Sequence, residues 1–477
     1  MTGEMRTTAG ECKEEKCRSP GQTDTQNIGL PRFVNEVFFM KKLNQLEESK
    51  FLKLFFAFIS LGLLIAAVCM PDRGTMFSGL WSILKGSDKF YTSVGGYAAT
   101  FLNMSLVSAA MLCLFCVTKA TVNNASTMAF LLTLGFCSWG INVLNMWPTI
   151  LGVAVVTLLK KQKLGTNVNA ALFTTGVAPF ISNLLVRYPS ADYVGFNLLG
   201  LGLALVVGLI VGVVVTAGLP HSPNVHKGMN IYSAALPVGM AAFLLNAILY
   251  KVPGVAGPIF AGEAGAVSAE IANIFYCALF GLFVLAALLM GGAKDYWKLL
   301  KNPNQVNNVS GTCGNAVFLM NAGVFGLFIL AYYNAVGATF NSVQLGLIFC
   351  MLCTCNSGSR PTNVWPIMAG YVAASFGAKY FAQWMGGDFT LEINAAAICV
   401  GLCYANGLSP LVDKYGWIYG IVAAMIHYSF VTIIPSLHGG ACLYNGGFTA
   451  IFVCIILVPV LEKFCKTKAE RLAAKAK

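Results

Sequence analysis

Charge is what this sequence has least of. Asp, Glu, Lys and Arg make up 10% of the 477 residues and hydrophobic residues 57%, a balance that excludes an ordinary water-soluble chain. There is no His-Glu-x-x-His, no Gly-x-Ser-x-Gly with a partner, and no pair of Asp in facing apolar segments. An enzyme is therefore not expected, and neither a cofactor nor a metal set. The net charge of +12 comes without a Lys/Arg stripe interleaved with aromatics, so nucleic acid is not an expected partner. No apolar run precedes Phe51, so a cleavable signal is not expected.

What is there is apolar sequence in long runs. Charge gathers at the ends, in Lys13-Glu14-Glu15-Lys16, Lys41-Lys42, and Lys463, Lys466, Lys468, Arg471, Lys475 and Lys477. Residues 1–50 are predicted to be a disordered cytoplasmic tail, and 463–477 a basic cytoplasmic tail. Most of the sixteen cysteines lie in apolar runs, as Cys113, Cys350, Cys353, Cys355, Cys399 and Cys403 do, and read as small hydrophobes. Cys12 and Cys17 lie in the tail, with nothing to complete a ligand set.

Crossing ~30 Å of hydrocarbon takes about 20 helical residues. Suitable runs are 51–70, 94–118, 168–186, 194–217, 228–249, 270–292, 314–336, 392–410, 415–436 and 442–462. Ser126 to Lys160 and Val343 to Lys379 are each too long for one span and short for two, and both are interrupted by Gly, Asn and Pro. Read as two short segments each, they bring the expectation to about 14 segments of an all-α polytopic membrane protein. With both termini inside, Lys160, Lys161, Lys163, Lys294, Lys298, Lys301, Arg360 and Lys414 fall on the cytoplasmic side.

The two halves align. At a constant offset of 218 residues, Ala120, Thr121, Asn123, Leu134, Cys137, Gly140, Asn145, Trp147, Pro148 and Gly152 recur as Ala338, Thr339, Asn341, Leu352, Cys355, Gly358, Asn363, Trp365, Pro366 and Gly370. Asn169-Ala170-Ala171 recurs as Asn394-Ala395-Ala396, and His226, Gly228 and Tyr232 recur as His438, Gly440 and Tyr444. The predicted organisation is a repeat at 51–249, a linker at 250–270 and a second repeat at 271–462. Seven segments is odd, so the copies are predicted to insert in opposite orientations; six crossings would make them parallel.

Inverted repeats place a solute site where discontinuous helices expose free backbone groups. The expected site is at the two interruptions, with Asn142, Asn145, Trp147, Arg360, Asn363 and Trp365, joined by Asn169 and Asn394. Asn and Trp repeat there, whereas Arg360 replaces Asn142 and could clamp an anion, or be one more cytoplasmic charge. The alternative for both interruptions is a pair of ordinary helical hairpins. Glu392, His427, His226 and His438 are the candidate coupling or proton-carrying groups, with interhelical hydrogen bonding or capping as the alternative for the histidines.

The Asn…Trp-Pro interruptions, the Asn-Ala-Ala segments and the His-Gly-Gly…Tyr-Asn-Gly-Gly stretch from His438 to Gly447 resemble an uncharacterised family of bacterial-type multi-pass membrane proteins. The resemblance covers nearly everything after residue 50 and implies no substrate. The seven-plus-seven plan is similar to that of nucleobase and anion transporters. Urea-channel-like proteins are a looser analogy, because their Leu-Pro and Asn-Pro pore signatures are missing here. The expected function is a secondary carrier for a small polar or anionic solute; the alternatives are a passive channel and a receptor or scaffold. Expected partners are the lipid bilayer, the solute and a co-transported ion, and a homo-oligomer is allowed.

Overall fold

The computed structural model describes residues 40–260, 269–302 and 304–475. Of the tail predicted to be disordered, residues 1–39, with the cysteines at 12 and 17, lie outside them; residues 40–50 are described and are mostly helical, with Asn44 Oδ1 accepting from the Ala316 amide. The described residues are helical and form no strand. Among the described residues eight helical stretches are long and apolar enough to cross a membrane, Val168–Val186 and Ala396–Tyr415 each counted as one, as an integral multi-pass membrane protein requires.

Nine helices of the first half are matched by nine of the second. The first set is α1 (Glu48–Cys69), α2 (Met76–Lys85), α3 (Tyr91–Val117), α4 (Asn124–Phe136), α5 (Trp147–Leu159), α6 (Val168–Thr174), α7 (Ala178–Val186), α8 (Leu198–Gly218) and α9 (Ala235–Asn246). The second set is α10 (Ala269–Leu289), α11 (Ala293–Lys301), α12 (Asn315–Ala335), α13 (Ser342–Leu352), α14 (Pro361–Trp384), α15 (Ala396–Ala405), α16 (Ser409–Tyr415), α17 (Trp417–Phe430) and α18 (Asn445–Phe464). A last helix, α19 (Lys468–Lys475), follows. Packing repeats too: α1 lies on α3 as α10 lies on α12, and α5 on α8 as α14 on α17.

α2 and α11 are the charged-and-aromatic members of each set. Trp81 and Trp297, at aligned positions, are each 63% exposed. An aromatic ring beside Lys85 or Lys301 suits a helix lying in the interface between lipid headgroups and hydrocarbon. Leu54, Phe58, Leu61 and Ile65 on α1 and Leu282, Leu285 and Leu288 on α10 are exposed, as lipid-facing side chains are.

The core is built around α4 and α13. Every residue from Ser126 to Phe136 and from Ser342 to Leu352 is buried, which is why both helices are apolar on all sides rather than striped. At 1.5 Å per residue they are roughly 20 Å and 16 Å long, short of the hydrocarbon thickness. They pack antiparallel: Ser138 Oγ donates to the Ser342 carbonyl at 2.7 Å, Gly135 approaches Gly346, and Cys350 Sγ reaches the Leu132 carbonyl. Leu132 and Cys350 are themselves 218 residues apart, so equivalent positions of the two halves meet at this crossing.

Two of the eight stretches are not regular α-helix throughout. Val168–Val186 and Ala396–Tyr415 each tighten into a 3₁₀ turn, at Thr175–Val177 and Asn406–Leu408, with Pro179 and Pro410 just beyond. Proline removes the amide that would bond four residues back. The segment predicted at 228–249 likewise starts only at Ala235, after a non-helical stretch that Lys227 and Gly228 enter with positive φ.

Candidate functional site

The interruptions between α4 and α5 and between α13 and α14 share one internal scaffold. Asn103 on α3 donates through Nδ2 to the carbonyls of Cys137 and Ile141, both at 2.8 Å. Its mate Asn321 on α12 donates to Cys355 and Ser359, both at 2.9 Å. Asn145 Oδ1 accepts from the Asn142 amide at 2.8 Å and its Nδ2 donates to the Gly140 carbonyl at 2.8 Å. Asn363 does the same with the Arg360 amide at 2.9 Å and the Gly358 carbonyl at 3.0 Å. These four amides satisfy backbone groups that the interruption frees in a buried setting. Gly140 and Gly358 have φ of +130° and +97°, where a side chain would be strained.

The copies part at the next contact. Asn142 Oδ1 accepts from the Leu144 and Asn145 amides, a side-chain-capped turn that delays α5 until Trp147. Arg360 is followed by Pro361 at the first helical position, so α14 starts a turn earlier and takes Pro366 into its interior.

Arg360 is 1% exposed, and its charge is met within the chain. Nη2 donates to Asp413 Oδ1 at 3.0 Å and to the Asn302 carbonyl at 2.8 Å; Nη1 donates to Asp413 Oδ2 at 3.3 Å and the Gly358 carbonyl at 3.0 Å. Asn363 Nδ2 adds a bond to Asp413 Oδ2 at 2.9 Å. In the first half Asn145 Nδ2 reaches Ser182 Oγ at 2.9 Å instead. Ala178-Pro179 and Ser409-Pro410 align, which makes Ser182 the mate of Asp413. Asp413 is therefore a residue that the sequence analysis missed, and that alignment was the signal for it. Asn103 and Asn321, at the same offset of 218, were missed likewise.

The other predicted residues are dispersed. Trp365 is 44% exposed and stacks on Trp417, while Trp147 is half-buried. Asn394 is exposed and donates to the Gly337 carbonyl; Asn169 has a buried Oδ1 without a partner. Glu392 is exposed beside Lys379 at 3.4 Å. His427 is buried between the Tyr371 hydroxyl, 2.5 Å from Nδ1, and the Gly446 carbonyl, 2.8 Å from Nε2. Because a carbonyl only accepts, Nε2 carries the proton and Nδ1 accepts, so the neutral ring is fully paired. His226 Nε2 pairs with Ser233 Oγ at 2.9 Å, and His438 Nδ1 pairs with Asn445 Oδ1, the mate contact.

A second, deeper crossing joins the halves. The Ile231 amide donates to the Gly407 carbonyl at 2.9 Å, and the Leu443 amide donates to the Gly176 carbonyl at 2.8 Å. Each half thus lays its non-helical segment, just before α9 or α18, into the broken helix of the other. Tyr232 and Tyr444, next in each segment, lie against Gly407 and Gly176, where a Cβ would come within 2.4 and 2.2 Å of the rings. The Tyr232 hydroxyl bonds Asn406 Oδ1 at 2.8 Å; the Tyr444 hydroxyl, buried, has no partner.

Beside this crossing lies a cavity of about 250 Å³, lined by Lys89, Trp139, Ala396, Ala397, Asn445 and apolar side chains including Val343 and Leu443. None of the sequence-predicted residues lines it; His438 stands behind it through Asn445. The aligned turn of the other half is exposed to the same degree: at the offset of 231 that pairs Gly176 with Gly407, the mates of Ala396, Ala397 and Val400 are Gly165, Thr166 and Asn169, which are likewise part-exposed, exposed and part-exposed. A larger groove of about 640 Å³ between α1 and α10 is walled by apolar side chains such as Phe58, Ile65 and Ile274 and lies on the lipid-facing surface. Among the described residues no three His, Cys, Asp or Glu are grouped to hold a metal ion.

A family model described as a protein of unknown function (DUF1576) matches residues 72–251 and 292–463. No curated protein and no solved structure matches the chain.

Proposed function

We propose, for a chain that belongs to the DUF1576 family, that it is a secondary carrier of a small polar or anionic solute. In this reading the two halves are inverted-topology repeats of seven segments, with both termini cytoplasmic, and transport is a rocking of one set of helices against the other. An enzymatic role is no part of it. The observation that carries the proposal is the reciprocal exchange of the Ile231 and Leu443 segments into the broken helices of the opposite half. Broken helices next to a cavity are where a membrane protein can offer backbone groups to a solute.

A further observation supports it. Leu132 and Cys350 meet across an antiparallel crossing, so in this reading a two-fold axis relating the halves passes between them, perpendicular to α4 and α13. If those helices stand along the membrane normal, that axis lies in the membrane plane, as inverted repeats require.

Purified protein in proteoliposomes tests the reading, with uptake of a solute panel measured under imposed Na⁺, proton and null gradients. Saturable uptake that follows a gradient is expected. Flux that stays linear in concentration and ignores every gradient would identify a passive channel instead, and no flux of any solute would leave a receptor or scaffold. An epitope placed after Leu249 should be accessible from outside; accessibility only from the cytoplasm would remove the inverted plan.

A further inference from the structure

We infer that the cavity beside α15 binds a small carboxylate with a short apolar body; the inference rests on the carrier reading only for its physiological purpose. Trp139 lines the cavity at 5% exposure, and its indole N–H is buried without an acceptor. An indole N–H can only donate, and a buried donor left unpaired is costly, so the missing group is an acceptor.

The helix ends around the cavity call for the same charge. Val343 in the first turn of α13, Ala396 and Ala397 in the first turn of α15, and Asn445 at the start of α18 all line it, as does Phe90, which heads a short turn cut off from the rest of α3 by a kink at Gly96. Three helix N-termini, each carrying partial positive charge, thus border one small space. Asn341 caps α13 with its side chain, but α15 and α18 have no side-chain cap. First-turn amides that no cap side chain closes are the donors that bind anions at helix starts.

Two side chains complete the donor set. Asn445 commits its Oδ1 to His438, which leaves its Nδ2 amide to a ligand. Lys89, whose Nζ holds the Gly440 carbonyl at 2.9 Å, brings a cation to the rim. The remaining wall is apolar, from Val343, Val400, Val431 and Leu443. Donors for one charged end and hydrocarbon for the rest suit a monocarboxylate better than sulfate or phosphate, whose oxygens would need donors on every side.

The probe is isobutyrate, with isobutyramide as its neutral isostere, titrated at constant ionic strength into the full chain in detergent and read by calorimetry. Saturable binding of isobutyrate but not of isobutyramide is expected. Trp139→Phe keeps the ring and removes the donor; it should weaken binding on the order of tenfold, and Lys89→Gln should weaken it too and flatten its salt dependence. Folding of each variant is checked by its unfolding temperature, and either variant suffices if the other does not fold. Equal binding of acid and amide, or variant affinities equal to the parent's, would overturn the inference. Gradient-driven uptake of neutral solutes by a protein that does not bind isobutyrate sinks the inference and leaves the carrier standing. Isobutyrate binding without any flux does the reverse.

Discussion

Arg360 and Asp413 form a buried, two-pronged ion pair at 3.0 and 3.3 Å where the other half of the chain holds Asn142 and Ser182. Both ends of one contact have changed together, and the surrounding asparagine scaffold has not. Removing one end strands a charge in a low-dielectric setting. Asp413→Asn should destabilise the protein by ~3–5 kcal/mol, whereas Arg360→Asn with Asp413→Ser, which installs the first half's chemistry, should recover most of that loss. Unfolding midpoints in detergent measure both. A double variant no more stable than Asp413→Asn would show that the pair is not an exchangeable structural unit.

Asn145 and Asn363 are fully engaged with the chain around them, so their replacement acts on structure as well as on any transport. Asn145→Leu and Asn363→Leu should each abolish uptake and also lower stability by ~1–3 kcal/mol for each buried group left unpaired. Asn103→Leu and Asn321→Leu, which free two carbonyls apiece, should behave alike. Unfolding temperatures equal to the parent's in all four would contradict the scaffold role.

Gly176 and Gly407 admit the Tyr444 and Tyr232 rings. Gly176→Ala should cost about 1–3 kcal/mol through overpacking, and adding Tyr444→Leu should relieve it. The thermal unfolding of the two variants gives the comparison directly. A Gly176→Ala protein as stable as the parent would mean that the ring moves aside freely.

Much of the plan was legible before any coordinates. The constant offset of 218 gives the pairing of α4 with α13, and the Gly and Trp-Pro positions mark both interruptions, because local backbone chemistry is written locally. The resemblance to an uncharacterised membrane family is matched by the DUF1576 model. Other features depend on contacts between residues far apart in the chain. Arg360 reads as a free cation until Asp413 folds back onto it, and the offset rises from 218 to 231 on reaching Asp413, which hides its alignment with Ser182. The breaks at Thr175–Val177 and Asn406–Leu408 sit inside runs whose hydropathy is that of continuous spans. Trp139 and Asn445 fell outside every repeat identity, so nothing in the alignment pointed to the cavity they line.

The exchanged segments also set an order on synthesis. Ile231 has its acceptor only once Gly407 has left the ribosome, and Gly176 waits for Leu443. The first half must therefore remain in the bilayer unfinished, with part of its polar backbone exposed, while nearly all of the second is translated. A nascent chain that stalls between the two is the state in which this protein is most open to quality control.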